Sequence, residues 1–228
     1  MPLIFFHHDF SCRWRLFYPM QDKCRRCYLR DRWLPYYLRA KLHIWLSPLH
    51  REAWLFEYPE LAQAPHALIP SPVNPKDFSP LNLPRRGIFV PSGLLAFKGR
   101  ANILAWAGEH PYIPITAIKY EDDDALGLLP PNITLIQPQG QREMRQRYNQ
   151  HEAVLHLPST PQPFERVASE AVLSGCRFIG NELVGALSYD WFRSRDEVAQ
   201  HCEAAPIDFW NAVVAAMEER GELVAAPT

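Results

Sequence analysis

No stretch of this sequence stays apolar for anything near the roughly 20 residues needed to span a bilayer. The apolar opening Leu3-Ile4-Phe5-Phe6 gives way at once to His7-His8-Asp9, too soon for the core of a secretion signal. Cysteines are few and odd in number, five in all, so without an export signal a disulfide framework is not expected. A cytoplasmic location is the expectation that follows. There is no internal repeat, and the 22 prolines are scattered at strand ends and turns rather than gathered in a low-complexity tract.

What is present is the composition of a globular chain, 47% hydrophobic and 21% charged. Its 228 residues suffice for one large domain or two small ones with proper cores. The net charge of −1 conceals a lopsided distribution. Residues 1–51 carry ten Lys or Arg against three acids, +7, and the remainder sums to −8. The same segment holds Phe5, Phe6, Trp14, Phe17, Tyr18, Trp33, Tyr36, Tyr37 and Trp45. Basic and aromatic residues together suit a membrane surface, a nucleic acid or a docking protein. An ordinary core with a solvated basic face fits equally well. Residues 1–51 contain no recognisable nucleic-acid-binding motif, so nucleic acid is not the expected partner.

Short apolar runs alternate with helical patterns, which predicts an α/β chain with parallel strands. Strands are expected at Leu3–His7, Leu42–Leu46 and Ala67–Ile69, with helices at 32–41 and 48–58. Pro70 to Pro84 holds five prolines and no periodicity, and reads as an interdomain linker. Beyond it, strands are expected at 87–90, 115–118, 133–136, 153–157 and 177–179, with helices at 99–109, 141–148 and 164–174 between them. Ser194 and Glu197 form a capping box for a helix to about Cys202. A last helix runs from Asp208 to Arg220, with Phe209, Val213 and Met217 on one face. The expected fold is a doubly wound parallel sheet at 85–205, preceded by a partial α/β domain at 1–80 and followed by a helix at 206–228. In such sheets ligands sit beyond the carboxyl ends of the strands.

The densest chemistry lies between Val154 and Ala186. A strand, Val154-Leu155-His156-Leu157, ends in a proline-rich loop, Pro158-Ser159-Thr160-Pro161-Gln162-Pro163-Phe164-Glu165, that opens a helix carrying Glu170-Ala171. A helix start presents unpaired N–H groups and partial positive charge to an anion. Gly175-Cys176 follows, then a second strand and Val184-Gly185-Ala186, where a glycine allows close backbone approach.

These spaced motifs resemble the donor site of family 4 glycosyltransferases with the GT-B fold. Phe97-Lys98-Gly99 upstream matches that family's Lys-Gly, and the resemblance covers about residues 85–200. It implies a nucleotide-diphosphate sugar as donor substrate, with no cofactor and no metal, and transfer with retention to a hydroxyl of a glycan or lipid-linked acceptor. Residue by residue, it implies that Glu170 bonds the donor ribose and Lys98 the diphosphate. Pro163 and Phe164 lie in the turn whose backbone faces the sugar, and Gly185 lies near the donor. His8, at the end of the first strand, matches a catalytic histidine of the N-terminal domain, which here is shortened.

Three positions depart from the pattern. Gln162 stands for a glutamate beside the donor sugar, Gly93 for an arginine on the diphosphate, and Glu165 for a glycine. An amide hydrogen-bonds but cannot balance a developing positive centre, so Gln162, which also occupies a catalytic position, bears on turnover. In the glycosyltransferase reading residues 1–51 hold the acceptor or lie on the inner face of a membrane; the alternative reading is a catalytically weak sugar-nucleotide-binding subunit that needs a partner chain. Cys24-Arg25-Arg26-Cys27 with Cys12 and His7 or His8 offers zinc-ligand types. Two arginines inside a lone CxxC disfavour a cation, and free thiols are the reading taken. Asp122-Asp123-Asp124, reminiscent of a metal motif in the other glycosyltransferase fold, reads as a solvated charge run.

Overall fold

The structure, a computed structural model, describes residues 3–7, 28–120 and 128–218, with residues 28–31 described by their backbone. His8, Cys12, Cys24, Cys27 and Asp122-Asp123-Asp124 lie outside the described residues.

Two parallel sheets organise the chain. The first has three strands, β1 (Ile4–Phe6), β2 (Leu42–Trp45) and β3 (His66–Leu68), in that spatial order. The second has five, β4 (Ile88–Val90), β5 (Ile115–Ile118), β6 (Ile133–Ile136), β7 (Ala153–His156) and β8 (Arg177–Gly180), ordered β6-β5-β4-β7-β8. Every strand of β2, β4 and β7 is buried along its whole length, as parallel strands covered on both faces must be. That is why they read in the sequence as continuous apolar runs rather than alternating ones.

Helices cover both faces of the larger sheet. On one side, Ile88, Val90 and Leu155 pack with Ile103 and Ala107 of α3 (Arg100–Glu109). On the other, Phe89 and Val154 meet Tyr148 of α4 (Gln141–Gln150) and Ala168, Ala171 and Leu173 of α5 (Arg166–Leu173). In the smaller sheet, α1 (Tyr28–Leu38) and α2 (Pro48–Glu57) enclose Trp45, Trp54, Tyr58 and Leu61 on one face.

The segment 70–84 does lack regular structure, but it is no loose tether. Val73 and Phe78 are buried in the core of the larger sheet. The Leu81 amide donates to Asn149 Oδ1 at 2.6 Å, and Asn149 Nδ2 donates back to the Ser79 carbonyl at 3.2 Å. Just beyond, the Arg85 guanidinium reaches the carbonyls of Tyr148, His151 and Ser174. Five planar donors in a fork can satisfy several carbonyls at once, and here they pin the segment to the carboxyl ends of α4 and α5.

The largest difference from the sequence reading is at the carboxyl end. The two helices expected at 194–202 and 208–220 are one, α6 (Arg195–Glu218), with Pro206 inside it. The Ser194 hydroxyl donates to Glu197 at 2.7 Å and accepts from its amide at 3.3 Å, so the expected start is found. An internal proline removes one backbone hydrogen bond and crowds the carbonyl four residues back, which made a break the natural expectation. Packing overrides it. Val198 and Cys202 are buried against the larger sheet's core. Ala205, Phe209, Ala212, Val213 and Ala216 then cover Leu42, Ile44 and Ile69 of the smaller one. No helix among the described residues is long and apolar enough to cross a membrane.

Candidate functional site

The strand order of the larger sheet reverses direction between β4 and β7: from β4 the chain steps outward to β5 and β6, whereas β7 lies on the other side and continues to β8. Such a switch point leaves a crevice beyond the carboxyl ends of the two central strands. Lys98 follows β4 and Gln162 and Glu165 follow β7, so the topology brings these residues to one place.

Lys98 ends a short 3₁₀ turn, Ala96–Lys98, and Gly99 follows in a left-handed conformation with φ 91°. A side chain at Gly99 would place its Cβ 1.7 Å from the Leu157 carbonyl oxygen. Glycine is therefore demanded twice, by its dihedral and by the close approach of the β7 loop. The result aims the Lys98 ammonium across the switch point, where it donates to Gln162 Oε1 at 2.8 Å and pairs with Glu165 Oε1.

Gln162 is buried and its amide is fully committed. Its Oε1 accepts from Lys98, while Nε2 donates to the Thr160 carbonyl at 2.9 Å and lies 3.2 Å from the Pro161 carbonyl. The reverse orientation would set an NH₂ against an ammonium. The loop is also zipped to the turn after β8: Gln162 N donates to Leu183 O, Gly185 N to Gln162 O and Ala186 N to Phe164 O. Phe164 is buried, and the Pro163 carbonyl accepts from Ser47 Oγ at 2.5 Å. The same hydroxyl caps α2 by accepting from the His50 amide. Gly185 is small for a protein reason: a Cβ there would lie 2.3 Å from Pro163 O, 2.5 Å from Gln162 O and 2.6 Å from Ser47 Oγ. Its close approach is to the seam between the two sheets' loops.

Glu165 is the single non-glycine residue with positive φ among the described residues, at 70°. That conformation costs a non-glycine residue about 1–3 kcal/mol, which gives a physical reason for a glycine at this position. Its carboxylate lies at the amino end of α5, which no side chain caps. One oxygen pairs with Lys98 and the other lies 3.4 Å from His156 Nε2.

His156 is a site residue that sequence reasoning passed over, because a histidine inside an apolar strand reads as core. It is fully buried, its Nδ1 is 3.2 Å from Ser92 Oγ, and its Nε2 makes no hydrogen bond. Burial lowers its pKa to about 4, with Glu165 pulling upward and Lys98 reinforcing the fall. The ring is therefore neutral near pH 7.

Glu170 stands five residues after Glu165, roughly 7.5 Å along the helix axis. It accepts from the Tyr148 hydroxyl at 2.8 Å and lies 3.5 Å from Arg166. Burial raises its pKa, while the Tyr148 bond and Arg166 oppose the rise and Glu165 adds to it. Tyr148, also unforeseen, is fully buried and its hydroxyl is pushed far up, first by burial and then by Glu170. Gly93, where an arginine was the family expectation, has φ 63°, and a Cβ there would strike Tyr120 at 2.5 Å. An arginine in this backbone would be strained and crowded. Among the described residues, no group of three or more His, Cys, Asp or Glu is placed to hold a metal ion.

Solved structures resemble this chain in fold. They include sucrose-phosphate synthase from Thermosynechococcus elongatus, with a TM-score of 0.61 and 18% identity over 96% of this chain. HepE from Anabaena, in complex with UDP-glucose, has a TM-score of 0.60 and 18% identity over 95% of this chain. A trehalose-6-phosphate synthase, studied for glycosyl transfer with retention, has a TM-score of 0.55 and 14% identity over 93%. The chain spans 62%, 68% and 64% of these proteins' lengths, respectively. The sequence matches no protein-family model and no curated protein. The fold is that of GT-B glycosyltransferases, an α/β architecture with Rossmann-like parallel sheets.

Proposed function

We propose that the larger sheet binds the nucleotide part of a sugar donor and that the chain is a glycosyltransferase, in the manner of family 4. The observation that supports this most is the meeting of Lys98, Gln162 and Glu165 at the switch point, about one and a half helical turns from Glu170. In this reading residues 85–205 form the donor domain and residues 1–80 the acceptor side. Lys98 stabilises the departing diphosphate and Glu170 anchors the ribose. The acceptor is a hydroxyl of a glycan or lipid-linked sugar, transfer proceeds with retention, and neither metal nor cofactor takes part. His8, outside the described residues, is the catalytic histidine that the resemblance implies. The protein's contribution is mainly positioning and charge stabilisation.

The reading is tested by calorimetric titration with a panel of sugar nucleotides, UDP-glucose among them, followed by a product assay. Glu170→Ala should weaken donor affinity by about 1–3 kcal/mol, roughly 5- to 150-fold, because ribose hydroxyls lose their acceptor. Glu170→Gln, which keeps the shape beside Tyr148, separates that loss from misfolding. Unchanged affinity in both folded variants would place the donor elsewhere. One observation favours the alternative of a weak binding subunit with a partner chain: Gln162 is spent on Lys98 and Thr160. Activity appearing only on addition of cell extract would support that second reading.

A further inference from the structure

Three features at the switch point suit an anion. The eight-residue helix α5 begins without a side-chain cap. The Lys98 ammonium points across that start. The wholly buried His156 ring aims an Nε2 without a hydrogen bond at the same spot. All three meet in one group, and it belongs to the chain: the carboxylate of Glu165. The backbone holds this residue at φ 70°, a conformation glycine would adopt freely. Its carboxylate thus pairs with the cation and lies 3.4 Å from the imidazole, on a backbone conformation that costs a non-glycine residue.

The charge count has a consequence. Lys98 contributes one positive charge, Glu165 removes it, and His156 is neutral near pH 7. The site as folded is therefore without net charge, and Gly93 supplies none. We infer that Glu165 is a specificity-determining residue whose carboxylate stands where a diphosphate would lie, so that a nucleoside diphosphate binds only by displacing it from Lys98. The inference rests on the donor-site reading for the word nucleoside; the anion site itself rests on the geometry alone. An incoming diphosphate must break the Lys98–Glu165 pair and then share the site with the displaced carboxylate. Affinity for diphosphates is thereby held down, and affinity is restored by anything that draws Glu165 away.

The test uses the full chain, with inorganic pyrophosphate and UDP as probes in calorimetry. Glu165→Gly removes both charge and strain and should raise the affinity for both probes at least tenfold. Glu165→Gln keeps the side chain and the strained backbone, and should give most of the same gain through loss of charge. Adding Lys98→Ala to either variant should abolish the gain. Thermal unfolding confirms that each variant is folded, and should Glu165→Gly fail to fold, Glu165→Gln carries the test. Folded variants that take pyrophosphate no better than the parent chain overturn the inference. A gain for pyrophosphate with none added by the nucleoside upholds it and instead refutes the donor-site reading.

Discussion

Lowering the pH from about 7 to 4.5 should cost this protein several kcal/mol of unfolding free energy, most of it lost below pH 6.5. Burial, with smaller contributions from His43 and His50, brings the pKa of His7 down to about 3. Burial brings His156 to about 4, and His43 and His151 are lowered for the same chief reason. In the unfolded chain each ring takes up a proton near pH 6.5, whereas in the folded protein His7 and His156 resist until the pH nears 3 or 4. Between those limits the unfolded state binds more protons, so stability is complete above about pH 6.5 and drains away as the pH falls. Each such group contributes on the order of 1 kcal/mol per pH unit across that window. Glu170, whose pKa is raised, works in the opposite sense near its own titration and offsets a part. A typical domain holds only about 5–15 kcal/mol in total, so acid unfolding should come early. Urea denaturation at pH 7.5, 6.5, 5.5 and 4.5 measures the slope. A flat profile from pH 7.5 to 5 would show that these rings are not buried as neutral groups.

Gly99→Ala should be among the most damaging single substitutions near the site. The added carbon would fall 1.7 Å from Leu157 O and 2.5 Å from Leu157 C, both backbone atoms that cannot turn aside. The φ of 91° adds strain of its own. A loss above about 4 kcal/mol is expected, the range reserved for overpacking and forbidden dihedrals. At about 2–4 °C per kcal/mol for a chain of this size, that is a fall in Tm of roughly 10 °C or more. Gly108→Ala is the matched control. It lies in α3 with nothing within 4 Å of the new carbon, and alanine in an open helical position should stabilise by about 0.5–1 kcal/mol. Should Gly99→Ala melt within 2 °C of the parent, the contact of the Lys98 turn with the β7 loop is looser than described. Where the variant still folds, the displaced turn should also swing Lys98 off Gln162, which pyrophosphate titration would register.

Much of the fold was legible because parallel strands buried on both faces announce themselves as apolar runs. Ile115–Ile118 and Ile133–Ile136 are strands at the expected residues. What local pattern could not convey was the reach of packing. Pro206 looked like a helix break because propensity is local, while the contacts that carry α6 through it come from residues 42–69. The site divides along the same line. The positions of Lys98, Gln162 and Glu170 were read from spaced motifs. The burial of His156 and the Tyr148–Glu170 bond depend on side chains brought together by the sheet. Glu165 lay between these cases. Its departure from glycine was visible, but the left-handed backbone that makes the departure costly was not. At Gly185 the need for a small residue was legible, but the close approach of Ser47 and the 162–163 carbonyls was not.

The path of α6 also bears on how the protein is made. The face of the smaller sheet formed by Leu42, Ile44 and Ile69 is closed by Ala205, Phe209, Val213 and Ala216, which a ribosome adds roughly 150 residues after Ile69. At about 5–20 residues per second that face waits on the order of ten seconds or more for its cover. Until then Leu42, Ile44 and Ile69 lack the apolar partners that cover them in the folded protein. A face made early is thus finished late, and the nascent chain depends over that interval on whatever in the cell shields exposed apolar surface.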